Sequence, residues 1–138
     1  MGLPAFLDSN VLIYAFTQAG NKTSIAQQIL SLGGAVNVQA LNETANTLRR
    51  KFNVGWPRIG QIIDAVVRVC PRPLPVALET HRAALRICER YGYSIYDGLI
   101  IAAAKEAGCA TLYSEDLQHG QIIEGVRIEN PFLTAATS

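Results

Sequence analysis

The sequence of 138 residues lacks the patterns that mark several common chemistries. It has three cysteines, at positions 70, 88 and 109. This odd number without a C-x-x-C pair argues against a disulfide framework or a zinc knuckle. The two histidines, His81 and His119, are too far apart for a zinc site. The phosphate-binding loop G-x-x-x-x-G-K-[ST], the dinucleotide turn G-x-G-x-x-G and the nucleophile elbow G-x-S-x-G are all missing.

Long hydrophobic runs are also missing. No uninterrupted apolar stretch approaches the roughly 18 residues that a membrane span requires. The first residues carry no basic segment and reach Asp8 early, so a secretory signal is not expected. Unpaired cysteines are typical of a reducing compartment. We therefore expect a cytoplasmic protein with no membrane partner.

The residues that are present describe a compact, rather apolar chain. Hydrophobic residues make up 49% and charged residues 17% of the sequence. This length predicts one domain, residues 1–138. The net charge of +1 implies no particular partner, but arginine outnumbers lysine nine to three. The planar guanidinium group suits phosphate recognition, although ordinary solvated helix faces are the favoured explanation for these arginines.

Short apolar stretches alternate with amphipathic ones along the chain. Strands are predicted at 5–7, 35–38, 74–77, 109–113 and in 126–132. Helices are predicted from Ser9, over 25–32 with Thr23 or Ser24 as the cap, and over 40–52, 57–70, 79–91 and 95–107. Alternating strands and helices are typical of an α/β domain with a central parallel sheet.

Three of the four aspartates, and one glutamate, fall where these strands end. Asp8 follows the first strand, and Asp116 follows the strand in "CATLY". Glu43 lies early in the helix after "AVNV", and Asp97 lies in the first turn of the helix "SIYDGLIIAAAK". The carboxyl ends of parallel strands share one edge of a sheet, where ligands bind. We expect the four carboxylates to meet there.

Helix capping is the alternative explanation for each acid taken alone. Ser94-x-x-Asp97 resembles a capping box, and Asp8 or Asp116 at a helix start would contribute about 1 kcal/mol. Four caps in one crevice would repel one another, however, by roughly 1–4 kcal/mol for each pair at about 4 Å. A hard divalent cation such as Mg²⁺, which binds oxygen ligands, would remove this repulsion.

Four stretches together resemble a known family. These are "FLDSNVLIYAF", "ALNETANTLRRKF", "YGYSIYDGLIIAAAKEAGCATLYSEDLQHG" and the closing "NPF". In this order, from Phe6 to Phe132, they resemble the PIN-domain ribonucleases, and within these the VapC-like toxins of type II toxin–antitoxin modules. The resemblance implies a three-layer α/β/α domain with a short central parallel sheet.

The resemblance also assigns roles to individual positions. The four acids of the family fall on Asp8, Glu43, Asp97 and Asp116, of which Asp8, Asp97 and Asp116 are the expected metal ligands. Asn10 and Ser114 are the expected supporting residues. Glu115 is an alternative to Asp116, and the spacing of the motif favours Asp116.

The activity that the resemblance implies is Mg²⁺- or Mn²⁺-dependent endonucleolytic cleavage of RNA by water, with an antitoxin as protein partner. Arg49 and Arg50, with Lys51, follow Glu43 on its helix and are candidate phosphate contacts. The apolar helices 57–70 and 78–91 favour a homodimer.

Two other functions fit parts of the sequence. A receiver-like metal-binding signalling domain has a similar size and sheet, but it requires an acidic pair at the first strand and a lysine after the last one. Here "LDSN" has one acid and "IENPF" has no lysine. A non-catalytic interaction module, in which the acids only cap helices, is the second alternative.

Overall fold

The computed structural model describes residues 5–133 of the chain. Within them the chain forms six helices and four strands. In chain order these are β1 (Phe6–Leu7), α1 (Ser9–Ala15), α2 (Asn21–Ser31), α3 (Val38–Phe52), α4 (Trp56–Val69), α5 (Leu78–Tyr91), α6 (Ile95–Glu106), β2 (Thr111–Tyr113), β3 (Ile122–Ile123) and β4 (Val126–Glu129). No helix of this part of the chain is both long and apolar enough to cross a membrane.

The strands form one sheet in the order β1-β2-β4-β3, in which only β3 is antiparallel to its neighbour. Phe6 and Leu7 of β1 point to opposite faces, and both are fully buried. Helices therefore cover both faces, as in other parallel sheets. This confirms the predicted three-layer α/β/α architecture.

Two of the predicted strands are present only as single bridges. Ala35 pairs with Phe6, and Asn37 pairs with Leu74, both in parallel. The first stretch stops because the Asn37 side chain accepts a hydrogen bond from the Ala40 amide (2.8 Å) and starts α3 at Val38. Leu74 lies between two prolines, which have no N–H to extend a ladder.

The antiparallel strand β3 is absent from the sequence-based prediction. It forms a hairpin with β4 through a two-residue turn in which Glu124 (φ 51°) and Gly125 (φ 82°) both have positive φ. This is the geometry of a type I′ turn, which normally carries Asn-Gly or Asp-Gly. Because Glu-Gly is a weak form of that signal, the hairpin is hard to recognise from the sequence.

The predicted cap of the second helix is wrong. Helix α2 begins at Asn21, ahead of both Thr23 and Ser24, and it follows Gly20 without a side-chain cap. The Thr23 hydroxyl instead accepts a hydrogen bond from the Ala19 amide and donates one to the Thr17 carbonyl, each at 2.8 Å. Thr23 thus stabilises the loop between α1 and α2.

Helices α3 and α4 form a hairpin with a small hydrophobic core of its own. Its buried members are Ile13 from α1, Leu48 from α3, and Ile59 and Ile62 from α4. Helix α3 ends at Asn53, which adopts a left-handed conformation (φ 53°), common at helix ends. This separate core holds the end of α3 and the start of α4 next to each other, beside α1.

Candidate active site

The carboxyl edge of the sheet collects side chains from four separate parts of the chain. Asp8 directly follows β1, and Asp116 lies three residues after β2, whose last residue, Tyr113, pairs with Leu7. Glu43 comes from the second turn of α3. Asp97 lies in the first turn of α6, which runs back towards the start of β2. Each predicted acid therefore reaches the same end of the sheet.

Asp8 is the most buried of these acids, with 4% of its surface exposed. Its carboxylate accepts hydrogen bonds from the Ser9 amide (2.7 Å) and from the Ser114 hydroxyl (2.8 Å). Burial raises the pKa of Asp8 to about 6; these two bonds oppose the rise, and the charges of Glu43 and Asp116 add to it. Near pH 6, the Asp8 side chain is therefore protonated in about half of the molecules.

The cap geometry at Asp8 is unusual. Asp8 is the N-cap of α1, but its side chain accepts a bond from the first helical amide, that of Ser9. A capping side chain normally bonds to the second or third amide of the helix. Its other oxygen is bound by Ser114, which is distant in sequence. The two contacts hold the carboxylate in place at the edge of the sheet, beyond what a cap requires.

Asn10 and Ser114 join Asp8 to Asp116. The Asn10 amide nitrogen donates to Asp116 Oδ2 (3.3 Å) and lies 3.5 Å from the Ser114 hydroxyl. The Ser114 hydroxyl also accepts the Asp116 amide (3.2 Å), and Asn10 Oδ1 accepts the Glu115 amide (3.2 Å). Asn10 and Ser114 are buried, so this network fixes the loop after β2.

Glu43 and Asp97 lie on the two flanks of this network. The Glu43 carboxylate accepts hydrogen bonds from the Ser9 hydroxyl (3.1 Å) and from the Gln39 side chain (3.0 Å). Asp97 is half-buried, and this burial raises its pKa; a hydrogen bond with the Ser94 side chain opposes the rise, and the charge of Asp116 adds to it. Ser94 caps α6 by accepting the Asp97 amide (3.4 Å), so the capping contact uses the backbone of Asp97.

The Glu115 side chain is paired with residues outside this network. Its carboxylate forms an ion pair with Lys22 and accepts a hydrogen bond from the Tyr14 hydroxyl (2.5 Å). The Lys22 ammonium also lies 5.0 Å from the centre of the Tyr14 ring. Sequence reasoning missed Lys22 and Tyr14, since no local pattern connects Lys22 with a residue 93 positions away. The adjacent acids 115 and 116 therefore face different neighbours.

Beside the carboxylates lies an open cleft of about 380 Å³ between α1, α3 and the loop after β2. Glu43 and Asp116 line one part of it, and Lys51 and Phe52 line another. Of the predicted phosphate contacts, neither Arg49 nor Arg50 lines the cleft. A larger, mainly apolar cavity of about 680 Å³ lies between α1, α2 and α4 and contains none of the candidate acids.

The donor set has the chemistry of a site for a hard divalent cation. Within residues 5–133 the only ion pair is Lys22–Glu115, so the four candidate carboxylates have no cationic partner. No three His, Cys, Asp or Glu side chains of these residues form a ready-made metal cluster. Magnesium typically takes only one or two protein carboxylates and keeps several waters. The oxygen donors present fit that mode of binding.

Comparisons with known proteins agree with this fold. The family model described as PIN domain matches residues 5–123. A comparison with curated protein sequences found no match. One similar solved structure is VapC20 of Mycobacterium tuberculosis, described as a sarcin-ricin loop cleaving toxin. It is 18% identical, with a TM-score of 0.64 over 81% of this chain and 89% of the other.

Two further similar structures come from toxin–antitoxin pairs. A chain from a Klebsiella pneumoniae toxin–antitoxin complex has a TM-score of 0.69 and 16% identity, covering 92% of this chain and 97% of the other. A chain of VapBC2 from Rickettsia felis, bound to a DNA fragment of its promoter, has a TM-score of 0.66 and 14% identity over 91% and 97%. At such identities the likeness establishes the fold.

Proposed function

The chain belongs to the PIN-domain family, and on that premise we propose that it is a metal-dependent endoribonuclease and the toxin of a toxin–antitoxin pair. One observation carries the proposal: a buried aspartate, Asp8, is joined through Ser114 and Asn10 to a second carboxylate, Asp116, with no cationic side chain to neutralise either. A buried acid without a cationic partner is costly for the fold alone, and metal binding at Asp8 and Asp116 would explain its presence.

In this proposal Asp8, Asp97 and Asp116 hold Mg²⁺ or Mn²⁺, and Glu43 completes the catalytic set. The bound cation would lower the pKa of a water molecule and stabilise negative charge on the phosphate. Asn10 and Ser114 orient Asp8 and Asp116. The Glu43 carboxylate, which is held by Ser9 and Gln39, would accept a hydrogen bond from that water molecule.

The basic end of α3 would bind the RNA backbone. Arg49, Arg50 and Lys51 occupy the last turn of this helix and are exposed. Lys51 also lines the cleft that contains Glu43 and Asp116. Positive side chains beside an acidic centre would position phosphates without competing for the metal. This arrangement supports Arg49 and Arg50 as substrate-binding residues.

The proposed partners follow from the relatives. Two of the similar structures come from toxin–antitoxin pairs, and a third is described as a sarcin-ricin loop cleaving toxin, which supports RNA as substrate and an antitoxin as protein partner. A homodimer is supported by the exposed Leu78 and Leu85 on α5, and light scattering at tens of micromolar tests it. Three free cysteines support a cytoplasmic location.

A non-catalytic module is the second candidate, favoured by the contacts of Asp8 with the Ser9 amide and of Ser94 with the Asp97 amide. The melting temperature separates the two. Mg²⁺ or Mn²⁺ should raise it if the carboxylates bind metal, because a ligand that binds only the folded state stabilises it. A protein whose acids only cap helices would melt at the same temperature with either ion or with EDTA.

Cleavage of RNA tests the activity itself. The wild-type protein should cleave RNA in Mg²⁺ or Mn²⁺, lose activity in EDTA and regain it when the ion is restored. Asp64→Asn is the control, since this exposed aspartate on α4 lies outside the site. Cleavage that continues in EDTA would contradict the proposed mechanism.

A further inference from the structure

An unusual surface lies where α3 meets α4. We call residues 49–56 the α3–α4 corner. It contains the consecutive basic residues Arg49, Arg50 and Lys51, and two exposed aromatic side chains, Phe52 (46% exposed) and Trp56 (60% exposed). Large aromatic side chains contribute most to a fold when they are buried. Two exposed ones among three cations therefore suggest a binding surface.

The corner is arranged before any ligand binds. The guanidinium carbon of Arg49 lies 5.6 Å from the centre of the Trp56 ring, and the same guanidinium group donates to the Val54 carbonyl (3.4 Å). The left-handed Asn53 turns the chain, and Leu48 and Ile59 anchor the two helices in their own core. The ring and the cation are thus held together in a solvent-facing position.

Its charges are free to meet an anion. The single ion pair within residues 5–133, Lys22–Glu115, involves none of the three basic residues of the corner. The corner is also continuous with the candidate active site, because Lys51 and Phe52 line the same cleft as Glu43 and Asp116. A chain that enters the cleft past these residues reaches the carboxylates.

We propose that the α3–α4 corner binds a single-stranded segment of the RNA, with bases stacked on Trp56 and Phe52 and phosphates bound by the adjacent basic residues. The identity of the nucleic acid as RNA rests on the proposed function. Aromatic faces stack on unpaired bases of any sequence, whereas a duplex hides its base faces within its own stack. The corner therefore selects single-stranded over double-stranded substrate.

Charge favours nucleic acid over a protein for this surface. Three consecutive cations with an arginine stacked on an indole suit alternating phosphates and bases. Interfaces between proteins are enriched in arginine and aromatic residues too, but their cores are depleted in charged residues such as lysine. A second copy of this chain would bring the same three cations to the contact.

Trp56 provides the measurement, because it is the only tryptophan in the sequence. We would titrate the protein in EDTA, so that no cleavage occurs, with an oligouridylate of about 10 nucleotides. The expected result is saturable quenching of Trp56 emission. The same oligonucleotide paired with its complement should quench weakly and bind several-fold less tightly.

Variants of the corner show whether stacking carries the binding. Anisotropy of labelled oligouridylate should report a roughly 5- to 150-fold loss of affinity for Trp56→Ala, the range found for removing one base-stacking side chain. Trp56→Phe should retain most of the affinity because it keeps a ring. Phe52→Ala should also weaken binding. Leu32→Ala, at the most exposed large hydrophobic side chain of the described residues, should bind as the wild type does.

Three results would overturn the inference: unchanged Trp56 emission, equal affinity for single strand and duplex, or equal affinity for Trp56→Ala and the wild type. Emission that changes with protein concentration alone would assign the surface to a second copy of the chain instead. The assay is independent of catalysis. A protein that binds single strands but never cleaves contradicts the proposed function, and one that cleaves without a response from Trp56 contradicts this inference.

Discussion

The two sides of the cleft are built in opposite ways. The acidic edge draws Asp8, Glu43, Asp97 and Asp116 from four separate parts of the chain, and its central acid, Asp8, is buried and hydrogen-bonded to Ser114, which is distant in sequence. The α3–α4 corner is contained within residues 49–56 and faces solvent. Chemistry on one phosphate requires convergent groups held rigidly, and tertiary structure provides them. Binding of a long polyanion can use a local cluster.

The largest effect is expected on RNA cleavage when acids of the acidic edge are replaced. Asp8→Asn and Asp116→Asn should each lower RNA cleavage by about 1,000-fold or more, and the double variant should be little worse, because residues that act as a unit do not contribute additively. Cleavage assays in Mg²⁺ check the activity, and circular dichroism checks the fold.

The same two variants also test whether binding of oligouridylate is independent of the acidic edge. Both should quench Trp56 on addition of oligouridylate as the wild type does, because the α3–α4 corner is intact. Asp64→Asn should match the wild type in both assays. Strong cleavage by Asp8→Asn would show that Asp8 serves only as the N-cap of α1.

The next largest effect is expected in the pH dependence of stability, which should involve the acidic edge and not the α3–α4 corner. Burial raises the pKa of Asp8 from 3.8 to about 6, so the folded state binds a proton that the unfolded state has already lost. Without metal, the contribution of Asp8 to stability is therefore greatest below about pH 4, falls by about 3 kcal/mol as the pH rises, and levels off above about pH 6.

Urea denaturation in EDTA across this pH range measures that fall. Asp8→Asn cannot ionise, so its stability should fall less than that of the wild type between about pH 4 and pH 6. Trp56→Phe, at the α3–α4 corner, should follow the wild-type profile. Parallel profiles for Asp8→Asn and the wild type would show that Asp8 keeps an ordinary pKa in the fold.

Removing the charges of the corner should have a smaller effect, visible in the salt dependence. The logarithm of the association constant for single strands falls with the logarithm of salt concentration, with a slope of about 0.7 per phosphate neutralised. Alanine at Arg49, Arg50 and Lys51 together should lower this slope by about 2. Arg68→Ala, at the far end of α4, should leave it unchanged. An unaltered slope in the triple variant would place the phosphate contacts elsewhere.

The smallest effect is expected for Asp97→Asn on the stability of the metal-free protein. Burial raises the pKa of Asp97, so its ionised form is disfavoured in the metal-free fold. Asp97→Asn should be as stable as the wild type or slightly more stable in EDTA, since the capping bond to Ser94 uses the backbone amide and survives. Urea denaturation near neutral pH measures this, with Arg50→Ala as the corner control. A loss of about 1 kcal/mol would instead identify Asp97 as a helix-stabilising acid.

How much of the site could be predicted also depended on whether a feature arises from neighbouring residues or from residues that are distant in sequence. Asp8 and Asp116 could be placed because they follow predicted strands, and Glu43 and Asp97 because they lie near the starts of predicted helices, which short patterns of apolar and capping residues reveal. The short strand β3 could not be predicted, and the stretches at Ala35 and Leu74 are predicted as strands although each forms only a single bridge, since pairing depends on partners elsewhere in the chain. Arg49 and Arg50 read alike in the sequence, but only Arg49 stacks on Trp56.

The sequence by itself determined the α/β alternation, the family resemblance and the placement of two acids after strands and two near helix starts. Tertiary structure alone decided what those acids experience. It buries Asp8 and raises its pKa, and it turns Glu115 towards Lys22 and Tyr14 while Asp116, the next residue, stays with Asn10. The physical reason is that helix and strand patterns arise from neighbouring residues, whereas desolvation and charge pairing depend on which distant residues the fold brings together.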